Sequence, residues 1–252
     1  MWMAFPPRHG GTNSTIINAR YSRQIAQSPI GIGLPFFGDS RKCSLFSPED
    51  DNLEQQNMRQ AFMESTVRVV ARDGVEKATT KSIAAEAKLN EAYIYKCFSG
   101  KDELLGETFL MEDERFFAFL KKTLPVMRTP GLLWRERAYI LWKRSWEHIL
   151  GVSDDCSFYI RYYYSASCRA HAYEMHLACY RPLIEKVSPV FLPETNMEML
   201  IHQIFSTMLF FASRVLHGDL EDNETTTLWA FEQIYSFVVP HVRPEVLEEV
   251  TL

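Results

Sequence analysis

The stretch Thr79–Lys101, TTKSIAAEAKLNEAYIYKCFSGK, carries the pattern that decides the fold. Thr79 can act as a helix N-cap, and Ile83, Ala84 and Ala87 then put an apolar stripe on a helix about two turns long. Residues 88–90 interrupt this stripe, and Asn90 is an N-cap candidate for a second, short helix. Two helices joined by a tight turn indicate a helix-turn-helix, whose second helix can lie in the major groove of DNA.

The second short helix is predicted to have an inner and an outer face. Ile94, Cys97 and Phe98 should point inward. The positions left to face outward are Ala92, Tyr93, Tyr95 and Lys96. Base edges would be read at Glu91, Ala92 and Tyr93, because a carboxylate can accept from cytosine N4 and apolar groups can contact a thymine methyl. Glu91 fits equally well as a residue that only complements the helix dipole.

Residues 59–105 resemble the amino-terminal DNA-binding domain of the TetR/AcrR family of regulators. The matching positions follow the four helices of that domain in order: Phe62-Met63 through Val69-Val70, Gly74-Val75, Ile83-Ala84, Tyr95 and Phe98, and Lys101 to Leu105. The chain departs from the family pattern at Lys88, where glycine is usual, and we therefore expect Lys88 to have a positive φ. The resemblance implies an all-α homodimer that binds DNA and responds to a small molecule.

The resemblance assigns phosphate contacts to Tyr95 and Lys101, and the outward Lys96 suits the same role. Thr79 is a further candidate, since the free N–H groups at a helix N-terminus favour phosphate. The alternative is a partly exposed tyrosine with two solvated lysines. The full set of predicted DNA-contacting residues is Thr79, Thr80, Lys81, Asn90, Glu91, Ala92, Tyr93, Tyr95, Lys96 and Lys101.

Charge and composition agree with a DNA-binding protein of the bacterial cytoplasm. Residues 58–101 carry eight basic and five acidic side chains, a net charge of +3, whereas the whole chain has −5 and the remainder therefore −8. A basic segment on an acidic protein restricts DNA binding to one surface. The five cysteines lack CxxC spacing, which favours reduced thiols. Neither a signal peptide nor an unbroken run of about 18 apolar residues is present, so no membrane association is predicted.

Four segments follow from these patterns. Residues 1–52 are rich in glycine, proline and serine and are predicted to be a disordered leader; the alternatives are an arm that touches a minor groove and a translation start further downstream. Residues 53–101 are predicted to form the helix-turn-helix domain, called the head below. Residues 102–245 should form a helical effector-binding and dimerisation domain, called the body, and residues 246–252 a tail. About nine helices are expected in all.

The body contains a group of aromatic residues that could surround an effector. They are most simply core residues, but buried tyrosine hydroxyls need partners, and a pocket walled by aromatics with a few polar groups suits a small, largely apolar or aromatic ligand. The predicted effector-binding residues are Phe116, Phe119, Trp134, Trp142, Trp146, Tyr159, Tyr162, Tyr163 and Met175.

The last two predicted helices are apolar on two faces, and a helix of this kind needs packing partners on both. One face can pack on the protomer's own core, and the other would leave a large apolar patch in water. A homodimer with a four-helix interface meets both demands, and a larger monomeric core is the alternative. The predicted interface residues are Met199, Phe205, Met208, Ala212, Trp229, Ile234 and Val238.

Metal and catalytic sites are not predicted. Cys168 and His171, with His176 and Cys179, have metal-like spacing, but four ligands do not converge from one straight helix. No catalytic motif is recognisable, and no cofactor is expected. The sequence therefore indicates a ligand-responsive transcriptional regulator, more often a repressor in this family, bound to a palindromic double-stranded DNA operator. The alternative is a small-molecule-binding protein or enzyme whose helix-turn-helix is only structural.

Overall fold

The computed structural model describes residues 48–248, with side chains from residue 52 onward. This part of the chain forms eleven α-helices. Their bounds are α1 Pro48–Asp73, α2 Thr80–Ala87, α3 Ile94–Cys97, α4 Lys101–Thr123, α5 Trp134–Gly151, α6 Ser153–Tyr163, α7 Ala166–His171, α8 Tyr173–Val187, α9 Met197–Leu216, α10 Glu224–Val238 and α11 Pro244–Glu248. No strand occurs in residues 48–248, where only an isolated bridge joins Phe191 and Val242. The predicted all-α fold is confirmed.

The two ends of the described chain differ from the predicted segment boundaries. Helix α1 begins at Pro48, so residues 48–52 are helical and do not belong to a disordered leader. The rest of the predicted leader, residues 1–47, lies outside the described residues. At the other end the predicted tail begins inside α11, where Val246 and Leu247 pack against the core around Trp134. Apolar contacts with distant helices, which local composition does not reveal, explain this second difference.

Two backbone positions with positive φ shape the head. Gly74 has φ 89° and ends α1, where its N–H donates to the carbonyl of Val70, as a C-terminal glycine does. Lys88 has φ 56° at the end of α2, which confirms the expected left-handed conformation at a position without glycine. Such a residue costs on the order of 1 kcal/mol, and its N–H offsets part of this cost by donating to the carbonyls of Ala84 and Ala85.

The first hydrophobic core continues from the head into the body. Phe62, Ile83 and Ile94 of the head are 0% exposed and belong to the same cluster as Phe109 of α4 and Phe158 of α6. Helix α4 contributes to this core along its first half and then extends into the body. The predicted division at residue 101 therefore does not coincide with a gap in the core, and it remains a proposal.

Two further cores lie in the body. One joins α5, α9 and α10 around Trp146, Phe211 and Phe231, and the other surrounds Trp134 and Phe191. The segment with the metal-like cysteine and histidine spacing forms two helices, α7 and α8, and not one straight helix. They are separated at Ala172, which is 1% exposed and packs in the first core. Burial of this residue, and not a local breaker in the sequence, places the bend.

Helix α9 has the length and apolarity of a membrane-spanning helix. The mean hydropathy of an 18-residue window of this helix reaches 1.4, and 28% of that window is buried within the protein. Polar side chains interrupt the apolar residues of α9, so the sequence shows no unbroken apolar run there. His202, Gln203 and Arg214 are exposed along α9 between apolar residues. The mixed surface is also what an interface between protein subunits requires, and the dimer proposed below uses it.

Candidate DNA-binding surface and ligand cavities

Side-chain caps stabilise the start of α2 and the turn that leads into α3. Thr79 Oγ1 accepts from the N–H of Ser82 at 3.0 Å, and Ser82 Oγ accepts from the N–H of Thr79 at 2.9 Å. Asn90 Oδ1 accepts from the N–H of Ala92 at 2.9 Å, so both predicted N-caps are confirmed. Lys88 in the left-handed conformation and the Asn90 cap shape the turn into α3, whereas the Thr79 cap fixes the start of α2.

The short helix α3 has the predicted inner and outer faces. Ile94, Cys97 and Phe98 are buried. Tyr95 is 59% exposed and Tyr93 37% exposed. Ala92 and Lys96 are exposed with them, and the Lys96 ammonium lies 4.7 Å from the centre of the Tyr93 ring. The 3-10 turn Glu91–Tyr93 and the helix α3 that follows it together present two aromatic hydroxyls and one cation to solvent, groups that suit phosphate and base contacts.

Glu91 forms a bond that neither sequence interpretation included. Thr80 Oγ1 donates to Glu91 Oε1 at 2.5 Å and lies 3.5 Å from the Tyr95 hydroxyl. The carboxylate therefore ties the start of α2 to the recognition helix in the free protein. Base reading by Glu91 would have to exchange or share this bond with Thr80.

Lys101 is less free than the sequence indicated. Its Nζ donates to the carbonyl of Val75 at 2.7 Å, and the side chain is half-buried. The bond joins the start of α4 to the loop after α1. Because an ammonium has three donors, a phosphate contact remains available, but Lys101 also has a structural role.

Arg59 is a residue that the sequence analysis did not single out. Its guanidinium donates to the carbonyl of Cys97 and to the Glu107 carboxylate. It also lies 4.3 Å above the Phe98 ring. Arg59 thereby joins α1, α3 and α4 behind the recognition helix. No pattern in the local sequence reveals it, because both partners lie about forty residues away or more.

The main cavity of the body lies among α4, α5, α8, α9 and α10 and has a volume of about 530 Å³. This size is ordinary for a small-molecule site. Three of the predicted effector residues line it, namely Phe116, Trp134 and Trp142. Most of its walls are residues that were not predicted from the sequence, including Leu120, Met127, Arg128, Arg137, Leu141, Lys186, Phe191, Ile201, Phe231 and Tyr235. These residues come from five segments that only the tertiary fold brings together.

The other predicted effector residues lie elsewhere. Tyr159 lines a second cavity, and Trp146 lines a third, polar one near the start of α10. Phe119 stacks on His148 at 4.0 Å between ring centres. Tyr162, Tyr163 and Met175 line none of these three cavities. Aromatic composition alone placed these side chains in one pocket, whereas the helices direct them to different cores.

The second cavity has a volume of about 340 Å³ and a different chemistry. Glu112, Asp155 and Arg115 line it with apolar side chains. Burial of Glu112 raises the pKa of its carboxyl to about 7, although Arg115 Nη1 lies 2.7 Å from Oε1. Burial also raises the pKa of the Asp155 carboxyl. The second cavity thus combines two carboxyls with the Arg115 guanidinium and the His148 ring.

The cysteines and histidines with metal-like spacing contact different groups in the protein and do not converge on one site. His176 Nδ1 lies 2.8 Å from Asp113 Oδ2, and the Tyr159 hydroxyl donates to Asp113 Oδ1 at 2.8 Å. Cys168 is buried in the first core, where burial raises the pKa of its thiol to about 11. In residues 48–248 no group of three or more potential ligands is arranged for a metal ion. His176 therefore serves a buried hydrogen-bond network around Asp113.

The predicted dimer-interface residues differ in their exposure within the single chain. Met208, Ala212 and Ile234 are buried in the protomer's own core, and Phe205 and Val238 pack partly buried against it. Met199 is 61% exposed and Trp229 52% exposed, as an interface requires. Two exposed residues were missed: Phe210 at 58% and Leu228 at 43%. Periodicity identified both helices as two-faced but could not tell which face packs inward.

The comparisons with known proteins agree with this geometry. The family model for bacterial regulatory proteins of the TetR family matches residues 62–108. The nicotine-responsive transcriptional repressor HdnoR of Paenarthrobacter nicotinovorans is 47% identical over 47 residues, which are 19% of this chain and 24% of HdnoR. The chain thus matches only about a quarter of that curated relative's length.

Solved structures extend the likeness to the body. A TetR-family regulator from Marinobacter aquaeolei has a TM-score of 0.55 at 20% identity, covering 73% of this chain and 97% of the other. FadR of Bacillus subtilis, solved with stearoyl-CoA, has a TM-score of 0.52 at 14% identity, covering 70% and 97%. At these identities the likeness shows the fold alone. Residues 62–108 therefore match the TetR family of regulators in sequence, and the described helices share the fold of TetR-family structures.

Proposed function

We propose that this protein is a ligand-responsive transcriptional repressor that binds a palindromic DNA operator as a homodimer in a bacterial cytoplasm. One observation carries the proposal: the exposed recognition helix α3 and a large apolar cavity are joined through one continuous helix, α4. A purely structural helix-turn-helix has no need to expose Tyr93, Tyr95 and Lys96 together.

The charge of the head supports contact with DNA. Residues 58–101 carry a net charge of +3 on a chain of −5. Phosphate contacts would come from Tyr95, Lys96 and Lys101 and from the N-terminus of α2 at Thr79. Ala92 and Tyr93 would face base edges, with Glu91 and Thr80 as a linked pair beside them. Lys81 and Asn90 lie at the edge of the same surface.

The exposed apolar face of α9 and α10 supports the homodimer. Met199, Phe210, Leu228 and Trp229 are all more than two-fifths exposed in the single chain. A patch of this kind on a water-soluble protein marks an interaction surface. Two heads joined in this way would bind successive major grooves as a linked pair.

The body supports an effector that is small and largely apolar or aromatic. The walls of the main cavity are mainly aliphatic and aromatic. HdnoR is described as nicotine-responsive, and FadR was solved with stearoyl-CoA, so related proteins bind or respond to small molecules. Ligand binding would release the operator by shifting α4, which contacts both cavities and the head.

A mobility-shift assay with the protein's own upstream DNA tests the proposal. We expect a retarded complex whose stoichiometry is two chains per site, and reporter expression that rises when the gene is deleted. An unrelated fragment of equal length is the control. If the protein binds both fragments equally, or neither at low salt, the rival interpretation as a small-molecule-binding protein or enzyme would be favoured.

A further inference from the structure

The charged residues that line the main cavity all have the same sign. Arg128, Arg137 and Lys186 line it, and no Asp or Glu is among its described lining residues. Arg128 and Lys186 form no ion pair with any residue in the described part of the chain and are exposed at the cavity rim. The second cavity, by contrast, has two carboxyls and one guanidinium. Of the two cavities, the main one is therefore the one whose charged lining residues all have the same sign.

The basic side chains lie at one end of the main cavity. Arg137 Nη1 donates to the carbonyl of Met127, the residue before Arg128, at 3.0 Å. Met127 and Val187, the neighbour of Lys186, both pack in the core around Trp134. The opposite end belongs to the other body core and is walled by Phe116, Trp142, Phe205 and Phe231. We call these the basic end and the aromatic end.

An indole N–H without a partner adds to the polarity of the basic end. Trp134 is 7% exposed and lines the cavity, and its Nε1 has no hydrogen-bond partner among the described residues. A buried donor of this kind costs free energy unless an acceptor meets it. A ligand with an acceptor group at the basic end would remove that cost.

We propose that the main cavity binds an amphipathic organic anion, with its hydrocarbon part at the aromatic end and its acid group at the basic end. The inference rests on the proposed function as a ligand-responsive regulator and specifies its effector class. Arg128 and Lys186 attract the acid group, the Trp134 N–H donates to it, and Arg137 holds the segment that carries Arg128.

Three ligands with the same twelve-carbon chain test the charge preference: dodecanoate, dodecanol and dodecylamine, each titrated below its micelle concentration into the full-length protein. Calorimetry and the fluorescence of the cavity tryptophans report binding. We expect dodecanoate to bind about tenfold more tightly than dodecanol, the gain of one charge-assisted hydrogen bond, and dodecylamine to bind most weakly. Equal affinity for the three, or tightest binding of the amine, overturns the proposal.

Substitutions locate the acid group. The double variant Arg128→Ala with Lys186→Ala should lose most of the preference for dodecanoate over dodecanol and keep its affinity for dodecanol. Arg144→Ala, which removes an exposed cation of α5 outside the cavity lining, is the matched control. The near-isosteric Trp134→Phe should weaken dodecanoate binding several-fold and leave dodecanol unchanged. An unchanged preference in both the double variant and Trp134→Phe places the acid group elsewhere and overturns the assignment.

A third measurement separates this inference from the proposed function. Dodecanoate, but not dodecylamine, should dissociate the operator complex in the mobility-shift assay. If the protein shows the charge preference but binds no operator, the regulatory function fails and the cavity assignment stands. If the protein binds its operator and only a neutral or cationic ligand releases it, the regulatory function stands and the anion inference fails.

Discussion

The head and the body are both helical, but the head buries its apolar side chains more completely than the body does. In the head, Phe62, Val70, Ile83 and Ile94 are 0% exposed, and the exposed aromatics are confined to the recognition helix. The body encloses cavities of about 530 and 340 Å³ and leaves four large apolar side chains of α9 and α10 in solvent. The proposed DNA contact requires a few rigidly held side chains, whereas the proposed ligand response and dimerisation require internal space and an exposed apolar face. The head is therefore closely packed, whereas the body retains cavities and an exposed apolar face.

The largest effect should come from charging the exposed face of α9 and α10. Phe210→Glu with Trp229→Glu should give folded monomers that bind the operator at least a hundredfold more weakly, because the two heads are no longer linked. Light scattering and mobility shift measure both quantities. Ala118→Glu, at an exposed position of α4, is the control for added charge.

A variant that stays dimeric and binds DNA normally would show that the interface lies elsewhere. Ile234→Glu separates the two faces of α10, because Ile234 is buried in the protomer's own core. It should lower the free energy of unfolding by several kcal/mol instead of giving stable monomers.

An isoleucine-to-alanine substitution should lower the free energy of unfolding more in the head than in the body. Ile83→Ala in the head should lower the free energy of unfolding by about 3 kcal/mol, since it opens a new cavity in a closed core. Ile201→Ala should cost about 1 kcal/mol or less, because Ile201 is half-buried and already borders the main cavity. Urea denaturation measures both. Equal losses would contradict the contrast in packing between head and body.

The buried Glu112 should make stability depend on pH. Its folded pKa of about 7 lies above the ordinary 4.5, so its protonated form contributes stability below pH 4.5 that is lost as the pH rises through 7. Glu112→Gln should remove this loss and make the protein roughly 2 kcal/mol more stable than the wild type at pH 8.

Chemical denaturation at pH 5 and pH 8 measures the difference. Glu114→Gln, at an exposed position of the same helix, is the control and should behave as wild type. A wild-type protein whose stability relative to Glu112→Gln is the same at both pH values would place Glu112 in a solvated setting.

Removing the outward groups of α3 should change the salt dependence of operator binding. Tyr95→Ala with Lys96→Ala should weaken binding uniformly across DNA sequences and lower the slope of log affinity against log salt by about 1, because the Lys96 ammonium releases a counterion whereas the neutral Tyr95 hydroxyl does not. Lys121→Ala, an exposed cation of the body, should leave the slope unchanged. A double variant with the wild-type slope would remove these residues from the contact surface.

Deleting residues 1–47 should have the smallest effect. Helix α1 begins at Pro48, and its buried face starts well beyond that residue. We therefore expect unchanged folding and unchanged operator affinity. Aggregation of the shortened chain would show that the segment packs on the protein, and a selective loss of operator affinity would identify an arm in the minor groove.

The predictable part of the candidate site is the part that is local in sequence. Thr79, Asn90, Asn196 and Asn223 all cap helices as their residue types indicate. The outward positions of α3 follow from a period of 3.6 residues. The cavity was only partly predictable, because Phe116, Trp134 and Trp142 line it while Phe119, Tyr162 and Tyr163 do not.

By itself, the sequence determined the helix-turn-helix, its caps, the strained Lys88 and the all-α class. These features depend on contacts within a few turns, where the order of residues sets the geometry. Only the tertiary structure decided that Lys101 and Arg59 hold the head together and that Ile234 faces inward and Trp229 outward. It also decided that the charged lining of the main cavity is basic alone, whereas the second cavity combines both signs. Each of these depends on how helices distant in sequence pack, and the period of one helix does not specify the rotation and position of its neighbours.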